Sequence, residues 1–447
     1  DRVLAVAQAK EAPDILIERR PAGSLADLIR EGEGDRSRPA AAVDDAALAS
    51  AGVRKLTGKH LTLYTDVASS PAIDELPAVF DQAVPLWCAY LGIDPKKVET
   101  WHIRGSLIKD KTVFQRVGLW SESLPPFLHG YARASELWLY DQPSNYYRRH
   151  LLLHEGTHAI MLSQLGGAGP PWYMEGVAEL LGTHQWIGGK LVLGYFPKNR
   201  DEVPDLGRIK IVREAYAAGG AKSLAEIISY GSQAHLQNEP YAWCWAAAAL
   251  LDNHPRYQAR FRELVKHVTL AEGAFNAHLR EVFKDDLAPL AEEWQVFVAG
   301  LEHGYDFTRE AIDFAAGKPL AGESGTVNVA ADRGWQSSGV HVETGKTYRL
   351  TATGRYQVAK EPKIWWCEPG GVTIRYHRGR PLGMLLAAVR SDNFQVGQTS
   401  GLVTPQPIGL GADLTPAQSG TLMLRINDSA GELADNEGVV LVEIKAM

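Results

Sequence analysis

The sequence predicts an α+β domain, a strand-rich lobe followed by a helical one, and after it an all-β sandwich or jelly roll. Three observations predict this. Strand-like alternation fills about residues 55–140, helical spacing takes over from 145 to 300, and beyond about 316 only short apolar alternations between turn residues remain. A strand-rich lobe followed by a helical lobe reads as α+β. At 447 residues, 45% hydrophobic and 22% charged, the chain has material for two or three domains with ordinary cores.

The elements follow in order. Residues 1–48 read as an extension: "DILIERRP" has the makings of a short strand, and "EGEGDRSRPAAAVDDAALAS" is a polar, small-residue approach to the first domain. "KHLTLYTD" alternates as a strand. "AIDELPAVFDQAVPLWCAYLG" has helical spacing and stops at Gly92, with Asp94-Pro95 just beyond. "VETWHIRGSLI" and "ASELWLYDQP" read as strands, with "KDKTVFQRVGL" a short helix between them. "NYYRRHLLLHEGTHAIMLSQLGG" is a long helix ended by Gly166-Gly167, and Pro170-Pro171 leads into a second helix, "WYMEGVAELLGTH". "SLAEIISYG", "PYAWCWAAAALLDNHP", "RYQARFRELVKHV" and "LAPLAEEWQVFVAGL" continue as helices. This first domain spans 49–312. A linker, 313–324, contains "GKPLAGESG", and the strands of 325–447 include "GTVNVAAD", "GVHVETGKTYRLTATGRY", "GTLMLRIND" and "GVVLVEI".

Composition excludes several classes. Net charge is −7 with no dense Lys/Arg run, so a nucleic-acid partner has no support. The longest apolar run, "WCWAAAALL", falls well short of the roughly 20 residues a bilayer span needs. The three cysteines, Cys88, Cys244 and Cys367, are far apart and odd in number, and read as buried apolar residues. The chain opens at Asp1, as a chain would after removal of an export signal or after shortening; the expectation is a secreted or periplasmic protein.

Chemistry concentrates in "HEGTHAIMLSQLGGAGPPWYMEGVAEL", residues 154–180. On a helix, His154 and His158 share a face and can present two imidazoles to one point. Glu155 lies beside that point, within reach of a water there. This is HExxH, two zinc ligands and a general base. The competing reading is a plain helix with half-buried histidines. Against it, "LLL" at 151–153 buries this stretch, the glycines let the chain turn back, and Glu175 arrives on the second helix as a third ligand. Two His and one Glu leave a fourth position open, the arrangement of a catalytic zinc. Glu179, one turn further, either accepts the outer N–H of a ligand histidine or is a solvated surface carboxylate.

"HEGTH…PPWYMEGVAELL" resembles the gluzincin metallopeptidases, especially the peptidase-MA-like group with its Trp-x-x-Glu-Gly-x-Ala-Glu signature. The resemblance implies a zincin-like fold, zinc on His154, His158 and Glu175, and Glu155 as base and then acid in hydrolysing the amide bond of a peptide or protein. It further implies that "ASELWLYD" is an edge strand binding extended peptide by backbone hydrogen bonds. In related aminopeptidases a tyrosine early on a downstream helix steadies the oxyanion. Tyr241 resembles it here, with Tyr230 and His235 as competitors. The aminopeptidase motif Gly-x-Met-Glu-Asn is absent before the zinc helix, so an endopeptidase is expected.

"ADRGWQSSGVHVETGKTYRLTATGRY" and "GTLMLRINDSAGELADNEGVVLVEI" resemble the calcium-dependent galactose-binding lectins of the PA-IL type. Asp428, Glu432, Asp435 and Asn436 crowd hard oxygen ligands into one loop, as calcium requires. The resemblance implies an ion there holding sugar hydroxyls. The chain departs from that family in having Val358 where a tyrosine is usual, with Tyr356 two residues before, and in Glu432 at the place of a smaller ligand. The loop also reads as an acidic turn without an ion. Two readings compete with the metallopeptidase: a carbohydrate-binding protein on an inactive zinc-stabilised scaffold, and a zinc amidase acting on cell-wall material. Retention of Glu155 favours an enzyme, because a structural site needs no base.

Overall fold

Alternating apolar residues between 54 and 140 build a five-stranded sheet: β1 (Arg54–Thr57), β2 (Leu61–Thr65), β3 (Ile103–Ile108), β4 (Gly130–Ala132) and β5 (Glu136–Tyr140), in the order β1-β2-β3-β5-β4. The computed structural model describes residues 44–231 and 237–447, which fall in one compact unit, Pro39–Met447. The proposed strand at "DILIERRP" and His235 lie outside the described residues. Strands β2, β3 and β5 run parallel, while β1 and β4 are antiparallel to their neighbours. Both faces of the sheet are covered, as parallel pairing demands. Leu61, Leu63, Leu137 and Leu139 enter the main core, whereas Tyr64 and Trp138 point into a second cluster with Phe114 and Leu119.

Two expectations are corrected here. "ASELWLYD" is not the edge strand: it forms β5, inside the sheet, and the edge is the three-residue β4 that pairs with it. So short a strand is hard to see in an alternation pattern. The approach segment ends in a helix, Asp45–Ser50, because Asp44 accepts the N–H groups of Ala46 and Ala47 and Leu48 is buried in the second cluster.

Three helices frame the site. Helix α1 (Leu76–Leu91) ends at Gly92 in the left-handed conformation and presents Phe80 and Trp87 to α2 (Asn145–Ile160). Ser144 caps α2 by accepting from the Tyr147 N–H, and a π-turn, Met161–Leu165, carries the chain to Gly166. A Cβ on Gly156 would sit 2.5 Å from the Trp87 ring, so this glycine lets α2 lie against α1 and fixes which face the histidines occupy. Helix α3 (Pro171–Gly182) then returns, starting at Pro171. The hairpin β6 (His184–Ile187) and β7 (Lys190–Leu193) follows, then α4 (Arg208–Ala217) and α5 (Asn238–Asn253). Hairpin and α4 escape the sequence reading.

In the C-terminal part, β8 (Ser324–Ala330), β10 (Tyr348–Thr353), β17 (Gly411–Leu414) and β19 (Val439–Ala446) make one four-stranded sheet, in the order β17-β10-β19-β8. Strands β9 (Gln336–Val342), β15 (Leu385–Ser391), β16 (Gln406–Pro407) and β18 (Gly420–Ile426) make the other, ordered β16-β15-β18-β9. Between β10 and β15 two antiparallel pairs intervene, β11 (Tyr356–Ala359) with β12 (Trp365–Cys367) and β13 (Val372–His377) with β14 (Arg380–Leu382). Leu350, Val442 and Ile444 from one sheet meet Leu385, Leu422 and Leu424 from the other in one core, the alternation of a two-layer packing.

The segment expected as a linker is bonded to these sheets. Asp313 N–H donates to Trp335 O, Gly317 N–H to Thr421 Oγ1 and Lys318 N–H to Gly339 O. A further apolar cluster joins Val296 of α6 (Leu287–Gly300) and Ile312 to Trp335, Leu386 and Met423. Buried ion pairs flank it: Glu292 with Arg390, and Glu310 with Arg425.

Candidate metal centre

The four-residue spacing on α2 places His154 and His158 side by side, and α3 delivers Glu175 opposite them. All three are at least nine-tenths buried. The Nε2 atoms of the two histidines are 3.1 Å apart, and Glu175 Oε2 lies 3.3 Å from His154 Nε2 and 3.4 Å from His158 Nε2. Tetrahedral geometry with donors about 2.0–2.1 Å from a zinc ion sets donor atoms about 3.3–3.4 Å from one another. The triangle therefore has the size that ion needs.

Charge and unmet bonding agree with a cation. Glu175 Oε2 is buried and has no well-aligned hydrogen-bond partner. Burial works against charge on His154, yet Glu175, Glu179 and Glu155 outweigh it and lift the imidazole to about 10. Burial likewise opposes ionisation of Glu175, but His158 and His154 pull its carboxyl down to about 2. The pocket thus favours positive charge at its centre, and the residues present fit a divalent metal.

Glu155 is 5% exposed and follows His154 on the same helix. Burial raises its pKa, partly offset by His154 and His158. A Cβ on Gly130 would fall 2.6 Å from Glu155 Oε1, so the glycine allows edge strand β4 to pass directly over this carboxyl.

Glu179 is 2% exposed, not a solvated carboxylate. Its Oε1 lies 3.3 Å from His154 Nδ1, and its Oε2 lies 3.5 Å from His150 Nε2. Arg208, the first residue of α4, grips both oxygens, at 2.7 and 2.8 Å. The sequence reading missed His150 and Arg208. His150 was within reach, since it stands one helical turn before His154 in the same four-residue series. Arg208 had no local signal.

Tyr241, at the start of α5, places its ring 5.9 Å from that of His154, edge to face, and Arg208 lies 5.7 Å from its centroid. Burial raises its hydroxyl pKa well above normal, and Glu175, Glu155 and Glu179 add to the effect. The Tyr230 hydroxyl is raised by burial, with Cys244, Glu239 and Glu226 adding to the rise. Of the two tyrosines, Tyr241 is the one beside the cluster.

The acidic loop of the C-terminal part is only partly gathered. Asn436 donates to Asp428 Oδ2 at 2.9 Å, while Asp435 Oδ1 and Asn436 Oδ1 are buried without partners. Burial pushes Asp428 up to about 7, Glu432 and Asp435 adding to the rise. Glu432 instead turns outward to a two-pronged ion pair with Arg375. Among the described residues, the groups of three or more His, Cys, Asp or Glu able to share an ion are His154–His158–Glu175 and His150–His154–Glu179; Asp428, Glu432 and Asp435 form no such group. Val358 is core, and the Tyr356 hydroxyl donates to Gly383 O, so neither faces the loop. Gln357 reaches it, donating to Asp435 O.

No helix among the described residues is long and apolar enough to cross a membrane. No protein-family model and no curated protein matches the chain. Similar solved structures include the N-terminal domain of EclA, a PllA-like lectin, 22% identical, covering 27% of this chain and 95% of that one at TM-score 0.21. The IMPa metallopeptidase in complex with T-antigen is 12% identical and covers 94% of this chain at TM-score 0.17. IMPa from Pseudomonas aeruginosa in complex with an O-glycopeptide is 12% identical and covers 86% at TM-score 0.18. The chain spans 44% and 37% of those two metallopeptidase chains. A metallopeptidase and a lectin thus stand among the neighbours, at scores that leave the assignment to the geometry.

Proposed function

We propose that the protein is a zinc-dependent peptidase, with His154, His158 and Glu175 as zinc ligands and Glu155 as general base. The observation that carries this reading is the donor triangle, its edges between 3.1 and 3.4 Å. When bound, zinc supplies Lewis-acid polarisation of a substrate carbonyl and makes a neighbouring water more acidic. Glu155 accepts the proton of the attacking water and later hands it to the leaving amine. Tyr241 donates its hydroxyl proton as a hydrogen bond to the developing oxyanion. Edge strand β4 passes beside Glu155 and is the strand along which an extended peptide would lie. The His158→Ala variant should lose most of its zinc on dialysis while the parent keeps one ion per chain. Elemental analysis showing equal zinc in both would end this reading.

A second reading, a calcium-dependent carbohydrate module formed by 325–447, is favoured by the two buried, unpartnered oxygens on Asp435 and Asn436. Asp428, Asp435 and Asn436 are its ligands, and Glu432 joins them on leaving Arg375. The test uses the full chain, because the sandwich buries Arg425 against Glu310 and is not shown to fold alone. Millimolar calcium should raise the melting temperature, the stabilisation reaching about 2.7 kcal/mol at a hundredfold excess over Kd. Magnesium should do less, since it dehydrates reluctantly. An Asp428→Ala chain that responds to calcium as the parent does would exclude this loop.

A further inference from the structure

Around the outer side of His154 lies a second buried cluster. His150, His154 and Glu179 bring their polar atoms together and could by composition hold an ion of their own. Both nitrogens of His150 and Nδ1 of His154 lack a well-aligned hydrogen-bond partner. What occupies the cluster's negative end, however, is Arg208. Its guanidinium takes both oxygens of Glu179 in the parallel fork that only arginine provides, and it is itself buried. A divalent cation placed there would face that fixed positive charge.

We propose that Arg208 is the positioning residue of the metal site: it locks Glu179 in place so that Glu179 holds the outer nitrogen of His154, and the second cluster orients the first instead of binding another ion. The claim rests on the zinc reading above. A ligand histidine free to roll about its χ2 presents Nε2 to the metal only part of the time. A carboxylate clamped at both oxygens removes that freedom. Arg208 also lies beside the Tyr241 ring, so one side chain braces two elements of the site.

The test measures zinc affinity by competition with a chelating dye, zinc per chain by elemental analysis, and thermal denaturation of the metal-free proteins. The parent should bind one zinc. Arg208→Lys keeps the charge but loses the fork, and should weaken zinc binding about 10–100-fold with little change in melting temperature. Arg208→Met leaves Glu179 buried and unpaired, and should be less stable as well. Arg208→Met with Glu179→Gln removes both charges, and should regain stability without regaining affinity. A purely structural Arg208 predicts the opposite: parental affinity in the Lys variant. That result, or two zinc ions per parent chain, overturns the proposal while leaving the zinc reading intact. A parent chain that binds no zinc overturns both.

Discussion

Replacing Glu155 by Gln should leave zinc content unchanged and cut peptide hydrolysis about 10²–10⁴-fold, the usual range for loss of a general base. The side chain lies outside the His154–His158–Glu175 triangle, so removing its charge takes no donor from the metal. Gln has nearly the same shape, which matters because β4 crosses so close that a Cβ on Gly130 would touch the carboxyl. Burial raises the pKa of the Glu155 carboxyl, which can take up a proton and pass it on, whereas an amide can do neither. The measurement is a peptide-library digest read by mass spectrometry beside elemental analysis of the same samples. Cleavage at the parental rate would remove Glu155 from the mechanism. Loss of zinc together with activity would make it a structural residue.

How much of this was legible in the sequence depends on the range of the interaction. His154, Glu155 and His158 lie within one and a half turns of one helix, and Glu175 is returned by a turn that Gly166 and Pro171 announce. Spacing alone brings these groups near one another. Glu179 could be placed on the correct face, but its burial could not, because burial is decided by α4, whose Arg208 covers it. The edge strand was misread for a similar reason. A three-residue strand carries too little alternation to register, while the apolar "ELWLY" stands out as β5 because both its faces are buried. In the C-terminal part the alternation revealed strands but not partners. That Glu432 would turn to Arg375, or that residues 313–318 would bond to the sandwich and not run free, follows from contacts between distant segments.

Those contacts make the two parts one mechanical unit, and Glu310→Ala should reveal it by destabilising the protein by about 3–5 kcal/mol. Glu310 ends a short helix in the segment that follows the helical lobe, and its two oxygens accept from Arg425 of β18 at 2.7 and 3.0 Å. Burial opposes the charge on Arg425, but Glu310 outweighs it and raises the guanidinium pKa. Truncating the acid therefore strands a buried cation that cannot shed its proton. Arg425→Met should cost less, because a carboxyl group, unlike a guanidinium, has an accessible neutral form in general, and the methionine can still pack beside Trp335, over whose ring Arg425 now lies. Glu310→Gln with Arg425→Met should recover most of the loss, since an apolar pair in place of a buried ion pair is often neutral. Urea denaturation of the four proteins, followed by tryptophan fluorescence, measures all three differences. The parent should unfold in one transition, because the apolar cluster of Val296, Ile312, Trp335 and Met423 is shared by both parts. Should Glu310→Ala prove no more costly than Arg425→Met, the asymmetry between a titratable and an untitratable partner is not what governs this contact. Should the double variant be the least stable of the four, the ion pair itself, rather than the packing around it, joins the sandwich to the helical lobe.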